Sequence, residues 1–310
     1  MKKVLVLVLA CMLVMATTVA SATTVGICQL VQHEALDAAT QGFKDALSAK
    51  LPDVEFDEQN ASGDAANCVT IMSTFVSNGV DLILANATAP VQAGVAATAD
   101  IPILGTSVTD YATALGVSEF NGTSGINVSG TTDLAPLDGQ AAMIKELFPD
   151  AKKVGLIYCS AEANSVYQVK TIEGYLEELG LEYAEYSFTD SNEVGAVAQS
   201  AADGSDVIYI PTDNTCAAYT ENIANIVIPA KVPVVAGEEG ICRGCGVVTL
   251  TISYYDIGYA TGEMAYEILA NGADISTMPV QAAPQFTKKY NAVNAEALGI
   301  TVPEDYVALD

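Results

Sequence analysis

The chain has 310 residues, enough for two domains of ordinary size. Hydrophobic residues make up 51% of it and charged residues 16%, which argues against intrinsic disorder and indicates large packed cores. With 38 acidic against 12 basic residues the net charge is −26, a balance that repels nucleic acid and anionic membrane surfaces.

The N-terminus has the organisation of a secretory signal peptide. Lys2 and Lys3 provide a positive start, VLVLVLACMLVMA follows as an apolar segment, and Ala20-Ser21-Ala22 offers small residues for cleavage. We therefore predict a signal peptide over 1–22 and an exported protein, periplasmic or at the cell surface. The alternative is a lipobox, VLAC, in which Cys11 would carry a lipid anchor.

From Val25 onward, segments with strand and helix periodicity alternate. They predict strands at 25–31, 54–60, 81–86 and 101–106, and helices at 34–49 and 64–78. The same order returns after Val154, with strands at 154–160, 181–188, 206–211 and 232–237, and helices at 165–180 and about 193–203. This duplicated unit predicts an α/β fold of two doubly wound lobes, each a parallel sheet with helices on both faces.

The joints between the lobes are predicted from composition. GTSGINVSG at 122–130 is rich in small polar residues and reads as a linker, and the segments after VVTLTIS indicate that the chain crosses back and then crosses again. We expect a first lobe of residues 23–125 plus about 253–281, and a second of 126–252 plus about 282–310. Several crossings would form a hinge suited to opening and closing.

Six cysteines follow the predicted signal peptide, and export permits disulfides, although all six could also remain thiols. Cys242 and Cys245 are the one local pair, in what reads as a Gly-rich turn, so we expect a local disulfide or two unreactive thiols. His33 is the only histidine, and no second cysteine pair accompanies the first. We therefore predict neither a metal site nor a cofactor.

Polar residues follow the predicted strands of both lobes. Open parallel sheets bind ligands at the carboxyl ends of their strands, so facing lobes would bring these residues to one cleft suited to a small polar or zwitterionic ligand. The candidate segments are Gln32-His33-Glu34, Asn86-Ala87-Thr88, Thr106-Ser107, Ser160 to Ser165, Thr212-Asp213-Asn214 and Glu238-Glu239.

Several motifs, in this order, resemble the ABC transporter substrate-binding proteins of the tryptophan/tyrosine type. They are QLVQHEALDAATQGF, SVTDY, NGTSG, IKELFPDAKKVGLIY, YCSAEANSVYQ, IPTDN and SYYDIGYATGEMA, from about Val25 to about Gly272. The resemblance implies the type I periplasmic-binding fold with three crossovers, and a monomer that delivers an aromatic amino acid to an ABC permease and its ATPase. Cys159 stands where that family usually has Asn, and CGVVTLTIS replaces an Ala-rich segment.

Given an amino-acid ligand, roles can be predicted for the candidate residues. Its carboxylate would meet the helix start near Ser160, Asn164 and Ser165, together with Ser107. Its ammonium group would meet Asp213, beside Asn214, with Glu238 and Asp256 as alternatives. Its side chain would face His33 and Thr88. The competing interpretation is structural: Ser160, Asn164 and Asp213 would cap helices, and His33 would be an ordinary packed residue.

Other functions have less support in the sequence. The sequence has no GxSxG, GxxxxGK[ST] or HExxH motif, and one histidine leaves little acid–base machinery for a hydrolase. The remaining alternatives are another amino acid or a nucleoside as ligand, or a sensory module without a permease.

Overall fold

The computed structural model of the chain describes residues 22–309. Two β-sheets organise it, and we call the parts of the chain built on them the first and the second lobe. Residues 1–21 of the predicted signal peptide, with the alternative lipid site at Cys11, lie outside the described residues. Within residues 22–309, no helix has the length and apolar character that crossing a membrane requires.

The first lobe is built on a six-stranded sheet in which every pairing is parallel. Its strands are β1 Thr24–Gln29, β2 Glu55–Asn60, β3 Leu82–Asn86, β4 Ile103–Val108, β5 Val128–Thr132 and β11 Gln281–Ala282. Their order across the sheet is β2-β1-β3-β4-β5-β11. The helices of this lobe are α1 Glu34–Lys50, α2 Ala65–Asn78, α3 Thr88–Ala97, α4 Tyr111–Leu115 and α11 Tyr254–Asn271, with a 3₁₀ turn at Ile275–Thr277.

The second lobe is built on a seven-stranded sheet. Its strands are β6 Lys153–Cys159, β7 Glu182–Phe188, β8 Val207–Ile210, β9 Val234–Ala236, β10 Val248–Thr251, β12 Thr287–Tyr290 and β13 Val307–Ala308. Their order is β7-β6-β8-β9-β10-β12-β13, and only β10 and β12 pair in antiparallel fashion. The helices are α5 Leu137–Leu147, α6 Ala163–Glu178, α7 Val194–Gly204, α8 Asn214–Ala218, α9 Thr220–Ala230, α10 Glu239–Gly244 and α12 Ala292–Leu298, with a 3₁₀ turn at Ser191–Glu193.

The first five strands of each lobe occur in the same spatial order, which confirms the duplication expected from the sequence. Strand β8 illustrates why the pattern was readable, because all four residues of VIYI are buried, as a central parallel strand between two helix layers requires. Strands β2 and β7, at the sheet edges, are largely exposed or half-buried. Each lobe is therefore a doubly wound α/β unit, as predicted.

The chain passes between the lobes three times, at residues 133–136, 252–253 and 283–286. The prediction of a linker at 122–130 is wrong at its second half, because Val128–Thr132 is strand β5 of the first sheet. Ser129 and Thr131 look like loop residues by composition, but both are buried and their hydroxyl groups are hydrogen-bonded. The first lobe therefore continues to Thr132, and the first crossing begins at Asp133.

Helices α1 and α11 pack with their backbones in close contact. A Cβ atom on Gly258 would lie 2.0 Å from the carbonyl oxygen of Ala39, and one on Gly42 would lie 2.1 Å from that of Tyr255. Only glycine allows two helix backbones to approach this closely. The contact fixes the starts of both helices, with His33 just before α1 and Tyr254 as the first residue of α11.

All six cysteines of the described chain are buried thiols, and no disulfide joins any pair of them. The prediction that Cys242 and Cys245 lie in a turn is wrong. Cys242 is in helix α10 and Cys245 ends it. The segment is helical and not a turn because Glu238 caps its start, accepting hydrogen bonds from the N–H groups of Gly240 and Ile241.

Candidate functional site

The carboxyl ends of the two sheets face each other across a cleft between the lobes. Its inner part is a cavity of about 10 Å³, roughly room for one water molecule. Its outer part, which shares Asn164 and Asn214 with the cavity, measures about 570 Å³. The residues that line the inner cavity are His33, Leu36, Ser107, Thr109, Asp133, Asn164, Thr212, Asp213, Asn214, Ala217, Glu238 and Tyr254.

Four adjacent strands of the first sheet end in buried polar atoms that have no hydrogen-bond partner. They are Oδ1 of Asp133 after β5, Oγ of Ser107 on β4, Oγ1 of Thr88 after β3 and Nδ1 of His33 after β1. Neighbouring strands lie about 4.8 Å apart, so these residues form a row along the sheet edge. Unpaired buried polar groups are rare in folded proteins, and four in one row indicate a place where a ligand supplies the missing partners.

The backbone is strained at the two middle positions of this row. Ala87, just before Thr88, has φ of +104°, and Ser107 has φ of +56°. Both values lie in the left-handed region that residues other than glycine seldom occupy, and such conformations collect at ligand sites. The Ala87 N–H still donates to the carbonyl oxygen of Thr106 at 3.0 Å, which ties the strained turn to β4.

His33 joins the two lobes. Its Nε2 lies 3.2 Å from Oδ1 of Asn214 in the second lobe, while Nδ2 of Asn214 donates to Glu162 at 2.6 Å. Because Oδ1 of Asn214 is therefore the acceptor, the proton of the neutral imidazole is on Nε2. Burial lowers the pKa of His33 and favours this neutral ring. Its unpartnered Nδ1 is then a hydrogen-bond acceptor inside the cleft.

Six carboxylates line the two parts of the cleft, and none of the lysines or arginine of residues 22–309 does. Five of the six accept hydrogen bonds from backbone N–H groups at helix starts: Asp64, Glu162, Asp190, Asp213 and Glu238. Such carboxylates hold the helix ends in place. Burial raises the pKa of Glu238 to about 7. The pKa of Asp213 is also raised to about 7, mainly by burial and secondly by the charge of the nearby Glu162.

Asp133 is the exception among these carboxylates. The Tyr254 hydroxyl donates to its Oδ2 at 2.8 Å, and its Oδ1 is left unpartnered although the residue is only 4% exposed. Burial raises the pKa of Asp133, and hydrogen bonding, first of all from the Tyr254 hydroxyl, offsets this only in part. Asp133 is therefore the carboxylate of the cleft that is most in need of a cationic partner.

The structure brings most of the sequence-predicted site residues together. Six line the inner cavity, namely His33, Ser107, Asn164, Asp213, Asn214 and Glu238, and Thr88 lines the outer cleft. Ser165 is fully buried behind them. Ser160 and Asp256 are exposed and line neither part. Ser160 bonds to the carbonyl oxygen of Phe188, and Asp256 lies in the first turn of α11.

The ammonium-binding role predicted for Asp213 competes with a structural role. One oxygen of its carboxylate accepts from the Cys216 N–H at 2.7 Å, as a cap of α8, and the other accepts from the Cys159 N–H at 2.6 Å. Both oxygens are therefore already bonded. Asp133 was not predicted from the sequence, because the strand that ends before it reads as a linker, and the hydroxyl of Tyr254 was not expected to support it.

The chain is similar to proteins of one known family. A model of the family described as ABC transporter substrate binding protein matches residues 24–309. The chain is also 37% identical over 260 residues to a tyrosine-binding protein of Clostridioides difficile. The matched segment covers 83% of this chain and 75% of the relative.

Two solved structures extend the comparison to the backbone. An ABC domain from Streptococcus pneumoniae in complex with L-Trp is 31% identical, with a TM-score of 0.87 over 92% of this chain and 97% of the other. The ligand-free, open structure of a substrate-binding protein with adhesive properties from Clostridium difficile is 37% identical, with a TM-score of 0.69 over 93% and 99%. The backbone is thus nearer to the L-Trp complex, although the sequence is nearer to the open structure.

Proposed function

Because the chain belongs to the ABC transporter substrate-binding protein family, we propose that it is the extracytoplasmic binding protein of an ABC importer for an aromatic amino acid. The family consists of substrate-binding proteins and not of enzymes, so the ligand is returned unchanged. The partners in this proposal are a permease and its ATPase, and the protein works as an exported monomer.

The row of unpartnered atoms along the first sheet carries the proposal. Read along the edge, it offers an anionic acceptor at Asp133, two hydroxyl groups at Ser107 and Thr88, and a neutral acceptor at His33. A free amino acid brings an ammonium group, a carboxylate next to it and a side chain beyond. The order of the chemical groups in the row matches the order of those in an aromatic amino acid that carries a phenol or an indole.

The ammonium group is assigned to Asp133, since this carboxylate has a free buried oxygen and the other five are bonded to helix starts. The carboxylate is assigned to the hydroxyl groups of Ser107 and Thr88. Helix α3 adds the N–H groups of its first turn, because Ala87 at its start provides no side-chain cap. Asp213 and Glu238 close the cavity from the second lobe.

The aromatic ring is assigned to the outer cleft. Leu30, Val31 and Ala89 of the first lobe and Ala161 and Tyr219 of the second give this space an apolar lining, and its volume suits a small-molecule ligand. His33 lines the inner cavity and contacts Asn214, which lines both parts; from there its Nδ1 would accept a hydrogen bond from the phenol O–H of tyrosine or the indole N–H of tryptophan. The relatives that bind tyrosine and L-Trp support this choice of ligand class.

The lobes must separate to admit such a ligand. The inner cavity has room for roughly one water molecule, so an ammonium group and a carboxylate reach Asp133 and Ser107 only if the two sheet edges move apart. The three crossings at 133–136, 252–253 and 283–286 are the hinge in this proposal. The difference between the TM-scores to the L-Trp complex and to the open relative supports a closed arrangement of the lobes here.

A ligand screen tests the proposal. Purified mature chain is melted with each of the twenty amino acids and with common nucleosides, because a tight ligand raises the melting temperature. We expect tyrosine, tryptophan or phenylalanine to give the largest increase, with calorimetry confirming one site per chain. A response to nucleosides alone, or to no amino acid, would overturn the assignment.

A further inference from the structure

We infer that this cleft recognises the amino group of its ligand far more strongly than the carboxylate, so that arylethylamines, which are aromatic amino acids without the α-carboxylate, are also ligands. The inference rests on the proposed function, because it concerns the same cleft. It extends the ligand class from amino acids to primary aromatic amines.

The first observation is the charge of the lining. The two parts of the cleft carry six carboxylates, and no lysine or arginine of the described chain lines either part. Two cations of the second lobe, Arg243 and Lys289, both pair with Glu239, and Arg243 also pairs with Glu34 across the lobes. Neither of these two parts therefore provides a cation to neutralise a bound carboxylate, and Lys289, which lines a neighbouring space beside Glu238, is already paired with Glu239.

The second observation is the unpartnered oxygen of Asp133, which lines the inner cavity. Closing the lobes on a ligand without a positive charge leaves this buried carboxylate unpaired, and an unpaired buried charge is costly. An ammonium group next to Oδ1 removes this cost and forms a charge-assisted hydrogen bond. The amino group of the ligand therefore meets a free, complementary charge.

The carboxylate of the ligand meets weaker partners. Ser107 and Thr88 offer neutral hydroxyl groups, and α3 offers the partial charge of a ten-residue helix. The surrounding carboxylates of the cleft repel the carboxylate of the ligand and oppose these contacts. Loss of the carboxylate therefore removes modest contacts together with an unfavourable charge, whereas loss of the amino group removes the one strong ion pair.

The experiment compares three ligands with the same phenol: L-tyrosine, tyramine and 3-(4-hydroxyphenyl)propanoate. Dissociation constants are measured by calorimetry on the mature wild-type chain at pH 7.5, a condition chosen to keep all amines protonated. We expect tyramine to bind within about tenfold of L-tyrosine, and the propanoate to bind at least about 100-fold more weakly than L-tyrosine, as expected for loss of a buried charge partner. Binding of the propanoate as tight as that of tyramine would overturn the inference.

Two variants assign the effect to Asp133. Asp133→Asn keeps the shape of the side chain and removes its charge. It should weaken the binding of tyramine by more than about tenfold and reduce the difference in affinity between tyramine and the propanoate. Asp100→Asn is the matched control, since Asp100 is exposed and lies just before β4, at the amino ends of the strands and away from the cleft. It should leave all three dissociation constants within about twofold of the wild-type values. If Asp133→Asn does not fold, the wild-type comparison of the three ligands still decides.

The outcomes separate this inference from the proposed function. If L-tyrosine and the propanoate bind but tyramine does not, the inference fails and the proposed function stands. If tyramine binds and none of the twenty amino acids does, the proposed function fails and the inference stands. If a different amino acid proves to be the ligand, its own amine and deaminated acid replace the tyrosine series, with the same criterion. If no amine and no amino acid binds, both are overturned.

Discussion

Replacing Gly258 with alanine tests whether the contact between α1 and α11 holds the cleft in shape. The new methyl group would lie 2.0 Å from the carbonyl oxygen of Ala39, far inside van der Waals contact. The obstacle is backbone, so no side chain can turn aside, and the two helices must move apart. Because His33 and Tyr254 stand at the starts of these helices, the movement would reach the cleft as well.

The expected cost follows from two opposing effects. Overpacking a tight contact costs typically about 1–3 kcal/mol, and a clash with backbone belongs at the upper end of that range. Alanine regains about 1 kcal/mol through its higher helix propensity. We therefore expect a net loss of about 2 kcal/mol in the free energy of unfolding, or roughly 3–4 °C in melting temperature for a protein of this size.

The matched control is Gly174→Ala, the same substitution in the middle of helix α6. A Cβ atom there meets no heavy atom within 4 Å, so only the propensity gain of about 0.5–1 kcal/mol remains and the melting temperature should rise. Both variants are melted by differential scanning calorimetry and titrated with the ligand found in the screen. If Gly258→Ala melts at or above the wild-type temperature, the close helix contact does not limit stability and the reasoning is refuted.

Three further predictions concern the charges around the cleft. Glu34→Gln breaks the ion pair with Arg243, in which the charged atoms of the two lobes lie 3.0 Å apart. Because both side chains are partly exposed, we expect the rate of ligand dissociation, measured by stopped-flow, to increase only about two- to fivefold. An unchanged rate would show that the pair does not hold the lobes together. Burial raises the pKa of Asp213 and of Glu238 to about 7, so the folded chain holds protons that the unfolded chain releases above about pH 4. Their ionisation therefore lowers the free energy of unfolding at pH 8, and this loss is recovered as the pH falls from 7 toward 5. In denaturant titrations, Asp213→Asn should make the free energy of unfolding less dependent on pH. Equal pH profiles for the wild type and the variant would contradict the assignment. Asp213→Ala leaves the Cys216 N–H without its cap and should cost about 1–2 kcal/mol by urea unfolding, whereas Asp213→Asn should cost less because asparagine also caps helices.

The sequence was enough to predict those parts of the fold in which one segment carries its own signal. The continuous apolar run of β8 and the one-sided pattern of α1 each need no partner to be recognised. Strand β5 could not be found this way. Its small polar residues read as a loop, and they are strand residues only because neighbouring elements supply hydrogen-bond partners for Ser129 and Thr131.

The candidate site was predictable to the same extent. The rule that ligands meet the carboxyl ends of parallel strands led to His33, Thr88 and Ser107, since each follows or ends a strand recognised from its pattern. It could not lead to Asp133 once β5 had been taken for a linker. Nor could composition reveal that Asp213 has both oxygens bonded to backbone amides, because the Cys159 N–H comes from a strand 54 residues earlier in the chain.

Asp133 is the first residue of the first crossing, and its position has a consequence for the path of release. A point near a rotation axis travels little when two bodies swing about it, while a point at the far rim travels a long way. As the lobes open, the second-lobe contacts in the outer cleft would be broken by larger displacements, whereas the anchor at Asp133 would hardly move. A departing molecule would then stay tethered by one end on the first lobe, already exposed to solvent, before its last bond is lost.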